Sequence, residues 1–125
     1  MATDVLGTTA RRYHTEQTHY LRKRVSFDDL SLGGIVGILP AGAIILRGSV
    51  YVFTAFNTGT LNVGVQGGDA DEFGSALALA QAIVAFDDLA ITNARRAADT
   101  VVTFARSAAA TAGEAEIIVE YVVKN

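Results

Sequence analysis

The segment from Leu39 to Val65, LPAGAIILRGSVYVFTAFNTGTLNVGV, combines two turn motifs with a highly apolar run. Pro40 fixes its own φ and Gly42 tolerates positive φ, so LPAG predicts a tight turn. In the run that follows, an extended chain would place apolar side chains on both of its sides. We therefore expect a strand that is covered by a second sheet on one face and by a neighbouring subunit on the other.

Other segments also carry the alternation that is typical of β-strands. HYLRKRVSFDDL, SLGGIVGIL and LNVGV each predict one strand, and the turn NTGT precedes the last of them. In the first, Leu21 and Val25 would lie on one side, and Arg22 and Arg24 on the other. Near the C terminus, residues 99–107 and 114–124 predict two strands that the small-residue turn AAATAG joins into a hairpin.

One segment, GGDADEFGSALALAQAIVAF, favours a helix. Asp69 and Glu72 have the spacing of a capping box, and the apolar residues after them fall on one helical stripe. The pattern predicts a short helix over 71–80. Gly74 and the run AIVAF indicate that this helix ends early and passes into a strand.

The strand count predicts the fold class. Six to eight short strands with Gly-rich turns and at most one short helix are typical of an all-β sandwich or barrel. The length of 125 residues suits a single domain, which we place at residues 20–125. Residues 1–19 are polar, Thr-rich and without a clear period, so we expect an extended N-terminal arm.

Basic residues are concentrated near the N terminus, although the formal net charge is −3. The cluster consists of Arg11, Arg12, Arg22, Lys23 and Arg24. It predicts docking onto an acidic protein surface, and a solvated terminus is the open alternative. The negative net charge argues against nucleic acid as the partner. Because no apolar run reaches the length of a membrane span and no signal peptide is visible, no membrane association is expected.

The residues that commonly bind metals do not converge in the sequence. The chain has no cysteine, and the spacing of His14 and His19 puts them on opposite sides of a strand. Asp69, Asp71 and Glu72 could supply oxygen ligands to Ca²⁺, although a solvated turn explains them as well. We predict no metal site and no cofactor, and whether the three acidic residues bind an ion stays open.

No motif for catalysis is present. The sequence contains neither a G-x-S-x-G motif nor a phosphate-binding loop, and both histidines lie in the N-terminal part of the chain. A nucleophilic triad needs a histidine and a carboxylate within reach of a serine or cysteine. We therefore predict that the protein has no catalytic residues and is not an enzyme.

ILPAGAIILRGSVYVFTAFNTGTLNVGVQGGDADEF, followed by the terminal TAGEAEIIVEYV, resembles small virion structural proteins of tailed bacteriophages, of the capsid-decorating or minor capsid type. The resemblance covers residues 38–75 and 110–122. It implies a jelly-roll-like β-sandwich that attaches to a capsid or tail and forms oligomers. The positions that match the pattern, all expected to define the fold, are Leu39, Pro40, Gly42, Phe56, Gly59, Leu61, Gly64, Gly68 and Asp69.

The resemblance also implies a function and partners. We expect a capsid-decorating or minor capsid protein that binds the major capsid protein and itself, as a trimer, on the surface of the virion after assembly in the host cytoplasm. One alternative is a component of the tail, the connector or the base of a head fibre. A carbohydrate-binding β-sandwich is a further alternative, but the chain has no Trp and its tyrosines do not cluster in the sequence.

Overall fold

A computed structural model describes residues 18–123, which form eight β-strands and a single-turn helix. The elements are β1 (His19–Ser26), β2 (Gly33–Leu39), β3 (Ala43–Thr54), β4 (Leu61–Val65), β5 (Gly74–Leu77), β6 (Ala82–Ala85), α1 (Ile91–Ala94), β7 (Thr100–Arg106) and β8 (Glu114–Val123). Within this part of the chain, the prediction of an all-β sandwich with at most one short helix is confirmed. The predicted N-terminal arm lies outside the described residues up to residue 17.

The strands form two antiparallel sheets of four strands each. The first sheet has the order β1-β8-β3-β6 and the second the order β2-β7-β4-β5. Side chains from the inner faces of both sheets form one apolar core. Its largest fully buried members are Phe73, Leu39, Leu61, Ile117, Val25, Val50, Val63, Val102 and Val119.

Strand β8 is one of the two inner strands of the first sheet, and its side chains alternate between the core and the outer face. Ala115, Ile117 and Val119 are at most 1% exposed, whereas Glu116 and Glu120 lie on the opposite, outer face. Strand β8 pairs with β1 on one side and with β3 on the other. A strand with one apolar and one charged face is thereby buried on the first face and half-solvated on the second.

The predicted helix over 71–80 is wrong. The chain forms a single turn, in which the Glu72 N–H donates to the carbonyl of Asp69, and then continues as β5. The Phe73 N–H donates to the carbonyl of Val63, which begins the pairing of β5 with β4. Pairing with a neighbouring strand satisfies the backbone N–H and C=O groups here. A strand therefore forms although the apolar residues have helical spacing.

The predicted hairpin of the last two strands is also wrong, although both strands exist. Strand β7 pairs with β2 and β4 in the second sheet, whereas β8 belongs to the first sheet. Residues 107–113 therefore cross from one sheet to the other. Both strands have one apolar face, and facing each other across the core buries both faces at once. Gly113, at a φ of 141°, closes the crossing where a Cβ would lie 2.3 Å from Cγ of Phe56.

Candidate functional site

The outer face of the first sheet carries a layer of arginine–glutamate pairs, which we call the Arg–Glu layer. The pairs are Arg22–Glu116, Arg24–Glu114 and Arg47–Glu120. All three glutamates lie on β8, and the arginines reach them from β1 and β3, the strands on either side. Nε of Arg22 donates to Oε2 of Glu116 over 2.8 Å, and Nε of Arg47 donates to Oε2 of Glu120 over 2.7 Å.

In this layer the positive groups lie outermost. The arginine side chains are 62–74% exposed, whereas the glutamate side chains beneath them are 17–35% exposed. The Glu120 carboxylate raises the pKa of the Arg47 guanidinium, through the hydrogen bond first and through its charge second. Because exposed ion pairs contribute little to stability, these pairs add little to the stability of the fold.

The basic residues that the sequence predicts as docking groups are only partly brought together. Arg22 and Arg24 are adjacent on the outer face of β1. Lys23 points to the other side of the same strand and is exposed, because β1 is an edge strand. Arg11 and Arg12 lie outside the described residues. The sequence did not indicate that glutamates from β8 would pair with these arginines, since that depends on the strand register.

The acidic loop is held by contacts within the protein. The Asp71 N–H donates to Oδ1 of Asp69, and the Ser75 hydroxyl donates to Oδ2 of Asp71 over 3.0 Å. Nη1 of Arg96 donates to Oε2 of Glu72 over 2.8 Å. Within residues 18–123, no group of three His, Asp or Glu side chains is arranged to hold a metal ion. The observed bonds fit a loop that is fastened to its neighbours.

The two aspartates of this loop affect each other's protonation. The Asp71 side chain raises the pKa of Asp69, and this effect outweighs the opposing hydrogen bond from the Asp71 backbone. The pKa of Asp71 is lowered, chiefly by its hydrogen bond with Asp69 and next by the Ser75 hydroxyl. One carboxyl of the pair therefore keeps its proton to a higher pH than the other.

Pro40, Gly42 and Gly59 lie in turns. The Ala43 N–H donates to the carbonyl of Pro40 over 3.1 Å, which closes the connection between β2 and β3. Gly42 has a φ of 87° and Gly59 a φ of 92°. Residues with a Cβ rarely adopt such values, so both positions favour glycine.

Gly64 and Gly68 lie in different surroundings. Gly64 is inside β4, and a Cβ on it would lie 2.3 Å from the Asp69 carbonyl oxygen and from the carbonyl carbon of Ala70. The acidic loop therefore packs directly on this glycine. A Cβ on Gly68 would meet nothing closer than 3.6 Å, and the residue of this turn with positive φ is Gly67, at 76°.

The core also contains a buried arginine, Arg106, which the sequence analysis did not predict. Arg106 is 4% exposed, and its guanidinium carbon lies 5.4 Å from the centre of the Phe56 ring. Within the described part of the chain, its Nε and Nη1 have no hydrogen-bond partner. A signal was available, because Arg106 shares the alternation phase of Val102 and Phe104, both of which are buried.

A pocket of about 300 Å³ lies where β1 and β3 end and β8 begins. Phe27, Thr54 and Glu114 are among the residues that line it, and Glu114 is already paired with Arg24. The only histidine among residues 18–123 is His19, which lies against the Tyr121 ring at a centroid distance of 5.5 Å. The lining thus holds one carboxylate and no base beside it, which is not an arrangement for acid–base or nucleophilic catalysis.

Within the same residues, no helix is long and apolar enough to span a bilayer.

Comparison with known proteins gives matches in structure alone. No protein-family model matches the sequence, and no curated protein matches it either. A chain of the cyanophage Pam1 capsid asymmetric unit is similar with a TM-score of 0.64 and 25% identity, over 88% of this chain and 87% of that chain.

Two further capsid chains share the fold at lower identity. A chain of the capsid of Ralstonia phage GP4 has a TM-score of 0.59 and 18% identity, over 86% of this chain and 84% of that chain. A chain of the acidic stable capsid structure of Helicobacter pylori bacteriophage KHP30 has a TM-score of 0.59 and 15% identity, over 86% and 89% of the two chains.

Proposed function

We propose that this chain is a structural protein of a phage virion and that it decorates the capsid. The observation that carries the proposal is the similarity to the Pam1 capsid chain, at 25% identity over nearly nine-tenths of both chains. The two other capsid chains support the shared sandwich fold. A similarity over almost the whole length favours a related role for the whole domain, rather than one shared motif.

The chemistry of the described residues agrees with a binding role. The charged groups lie mostly in pairs on an open sheet face, and the pocket holds one carboxylate that is already paired. A protein that reinforces a lattice needs contact surfaces on a rigid body, and the two packed sheets supply that body. Each copy contributes a small contact, and repetition over the lattice multiplies the effect.

The Arg–Glu layer is the surface that we assign to docking on the major capsid protein. Arg22 and Arg24 hold exposed guanidinium groups, which have five donors each and therefore keep free donors while they are paired. Carboxylates on a partner can accept these donors in a bidentate geometry. Arg11, Arg12 and Lys23, the other basic residues predicted to dock, would add contacts to the same acidic partner. In this proposal the protein acts as a trimer, because an icosahedral lattice offers threefold and quasi-threefold positions.

Binding to capsids that lack this protein tests the proposal. Purified protein is mixed with such capsids, and the bound fraction is measured by co-sedimentation together with the temperature at which the capsids rupture. We expect saturable binding of many copies per particle and a higher rupture temperature. Absence of binding with an unchanged rupture temperature would contradict the proposal, and saturation at only a few copies would point to a tail or connector position.

Variants of the layer test the docking surface. We expect Arg22→Gln combined with Arg24→Gln to weaken capsid binding about tenfold or more, because each loses a charge-assisted contact. Each single change, Arg22→Gln and Arg24→Gln, is also compared with Arg95→Gln, which removes the same charge from an exposed arginine outside the layer. Equal losses in the three single variants would show that the effect comes from net charge and not from this surface.

A further inference from the structure

Exposed apolar side chains are concentrated at one edge of the sandwich. Of the ten large apolar residues that are exposed among residues 18–123, five lie in the β1–β2 loop and in β2. These residues, which we call the β2 patch, are Phe27 at 40%, Leu30 at 107%, Leu32 at 37%, Ile35 at 51% and Ile38 at 58% exposed. Single exposed apolar residues are ordinary, whereas a concentration of this kind is typical of an interaction surface.

The part of the β2 patch on the strand itself is uncharged, whereas Asp28 and Asp29 lie in the loop between Phe27 and Leu30. No charged residue occurs between Asp29 and Arg47. On the neighbouring strand β7, Thr103 and Val101 lie opposite Ile35 and Ile38. Along β2, charge cannot guide recognition, so this surface fits an apolar partner and differs from the Arg–Glu layer on the other sheet.

Strand β2 also lies at the edge of the second sheet, next to β1 of the first sheet, and its pairing with β7 shifts register between Ile35 and Gly37. Edge strands usually resist further pairing by being short or by carrying charged side chains. Strands β5 and β6 are four residues long, and the long edge strand β1 carries Arg22, Lys23 and Arg24. Strand β2 is seven residues long and has no charge. Among the four edges of the two sheets, it is the one without either protection.

We infer that the β2 patch is the surface through which copies of this chain associate. A second copy supplies the same apolar side chains, so association removes the patches of both copies from water. The exposed fractions correspond to roughly 500 Å² of surface, and the residues around them would supply the rest of the roughly 800 Å² per partner of a standard interface. This inference rests on the proposed function for the trimer, in which three patches would meet around the threefold axis.

The association state of the full-length protein tests the inference, and sedimentation velocity over a range of concentrations measures it. We expect the wild type to form an oligomer and the Ile38→Lys variant to dissociate, with association at least about a hundredfold weaker. Ile83→Lys is the matched control, because it introduces the same charge outside the patch. Ile83 is 68% exposed and lies on β6, in the other sheet. Circular dichroism and thermal unfolding check that both variants keep the fold.

Leu30→Asp is a second variant whose folding is not in question, since Leu30 is fully exposed in a loop. Dissociation in both patch variants, with an intact oligomer in the control, supports the inference. A monomeric wild type overturns it, and so does an oligomer that only Ile83→Lys disrupts. A monomer that still binds capsids would leave the proposed docking intact while this inference fails. An oligomer that depends on the patch but does not bind capsids would support this inference while the proposed docking fails.

Discussion

At the scale of single residues, two arginines of the interior differ in how their charge is compensated. Arg96 donates to Glu72, to the carbonyl of Asn93 and to the hydroxyl of Thr100. Arg106 is more deeply buried, and within residues 18–123 two of its nitrogen atoms find no acceptor. Its contact with the Phe56 ring contributes about 0.5–2 kcal/mol, which is smaller than the cost of burying an unpaired charge.

We therefore predict that Arg106→Met stabilises the isolated protein. The methionine fills much of the same volume and removes a buried charge, so the free energy of unfolding should rise by about 1–3 kcal/mol. Urea denaturation measures this change. Arg96→Met is the control and should lose about 1–3 kcal/mol, because it leaves the carboxylate of Glu72 without its partner. A loss of stability in Arg106→Met would mean that its guanidinium is compensated in the native protein.

A second residue-level prediction concerns the acidic loop and pH. The raised pKa of Asp69 gives stability that is present at low pH and lost as the pH rises through that pKa. The lowered pKa of Asp71 gives stability that is present above the ordinary aspartate range and lost as the pH falls. Asp71→Asn should therefore return the pKa of Asp69 towards its ordinary value and remove the stability that Asp69 contributes at low pH.

Carboxyl carbon NMR titration of Asp69 measures this shift directly, and urea denaturation at several pH values measures the second effect. Asp28→Asn, a change in the β1–β2 loop, should leave the titration of Asp69 as it is in the wild type. If the pKa of Asp69 stays raised in Asp71→Asn, burial or Glu72 is the dominant cause instead.

At the scale of elements, local patterns predict which segments are strands but not which strands are neighbours. In the segments that contain β1, β3 and β8, every second side chain faces the core. This alternation is a local pattern, so it can be recognised in the sequence. The partner of a strand depends on contacts far along the chain, and for this reason the sequence suggested a hairpin for β7 and β8. The prediction of a helix over 71–80 was wrong for the same reason, because the pairing of β5 with β4 determines the backbone conformation there.

The candidate site was predictable to a similar extent. Alternation placed Arg22 and Arg24 on the outer face of β1, and the structure has them there. Their glutamate partners come from β8, where Glu116 lies 94 positions after Arg22, and no local pattern carries that register. The exposure of Ile35 and Ile38 was not predictable from composition, since exposure depends on the edge position of the strand.

The contact between the acidic loop and β4 gives a prediction at the scale of elements. Gly64→Ala should lose about 2–3 kcal/mol of unfolding free energy, because the new methyl group would press on the backbone at residues 69 and 70, which cannot move like a side chain. Gly68→Ala, a control in the same loop, has room for a Cβ and should stay within about 0.5 kcal/mol of the wild type. Equal stability of the two variants, measured by urea denaturation, would contradict this packing.

At the scale of the whole molecule, the sandwich separates two kinds of surface. The outer face of the first sheet carries the Arg–Glu layer, and the edge of the second sheet carries the mainly apolar β2 patch. Because the two surfaces belong to different sheets, one contact need not exclude the other. A subunit built in this way can associate with its copies through apolar contacts and dock on a lattice through charged ones, as the proposed capsid role requires.

This separation predicts opposite responses to salt. Raising the concentration of sodium chloride from about 0.1 M to about 1 M shortens the screening length from about 10 Å to about 3 Å, so docking through exposed arginines should weaken about tenfold or more. Association through the β2 patch should persist, and sodium sulfate should strengthen it, because excluded salts favour the burial of apolar surface. Co-sedimentation with capsids and sedimentation velocity of the free protein measure the two responses in the same buffers. If the oligomer dissociates in sodium chloride as readily as it leaves the capsid, charged contacts hold the copies together and the assignment of the two surfaces is wrong.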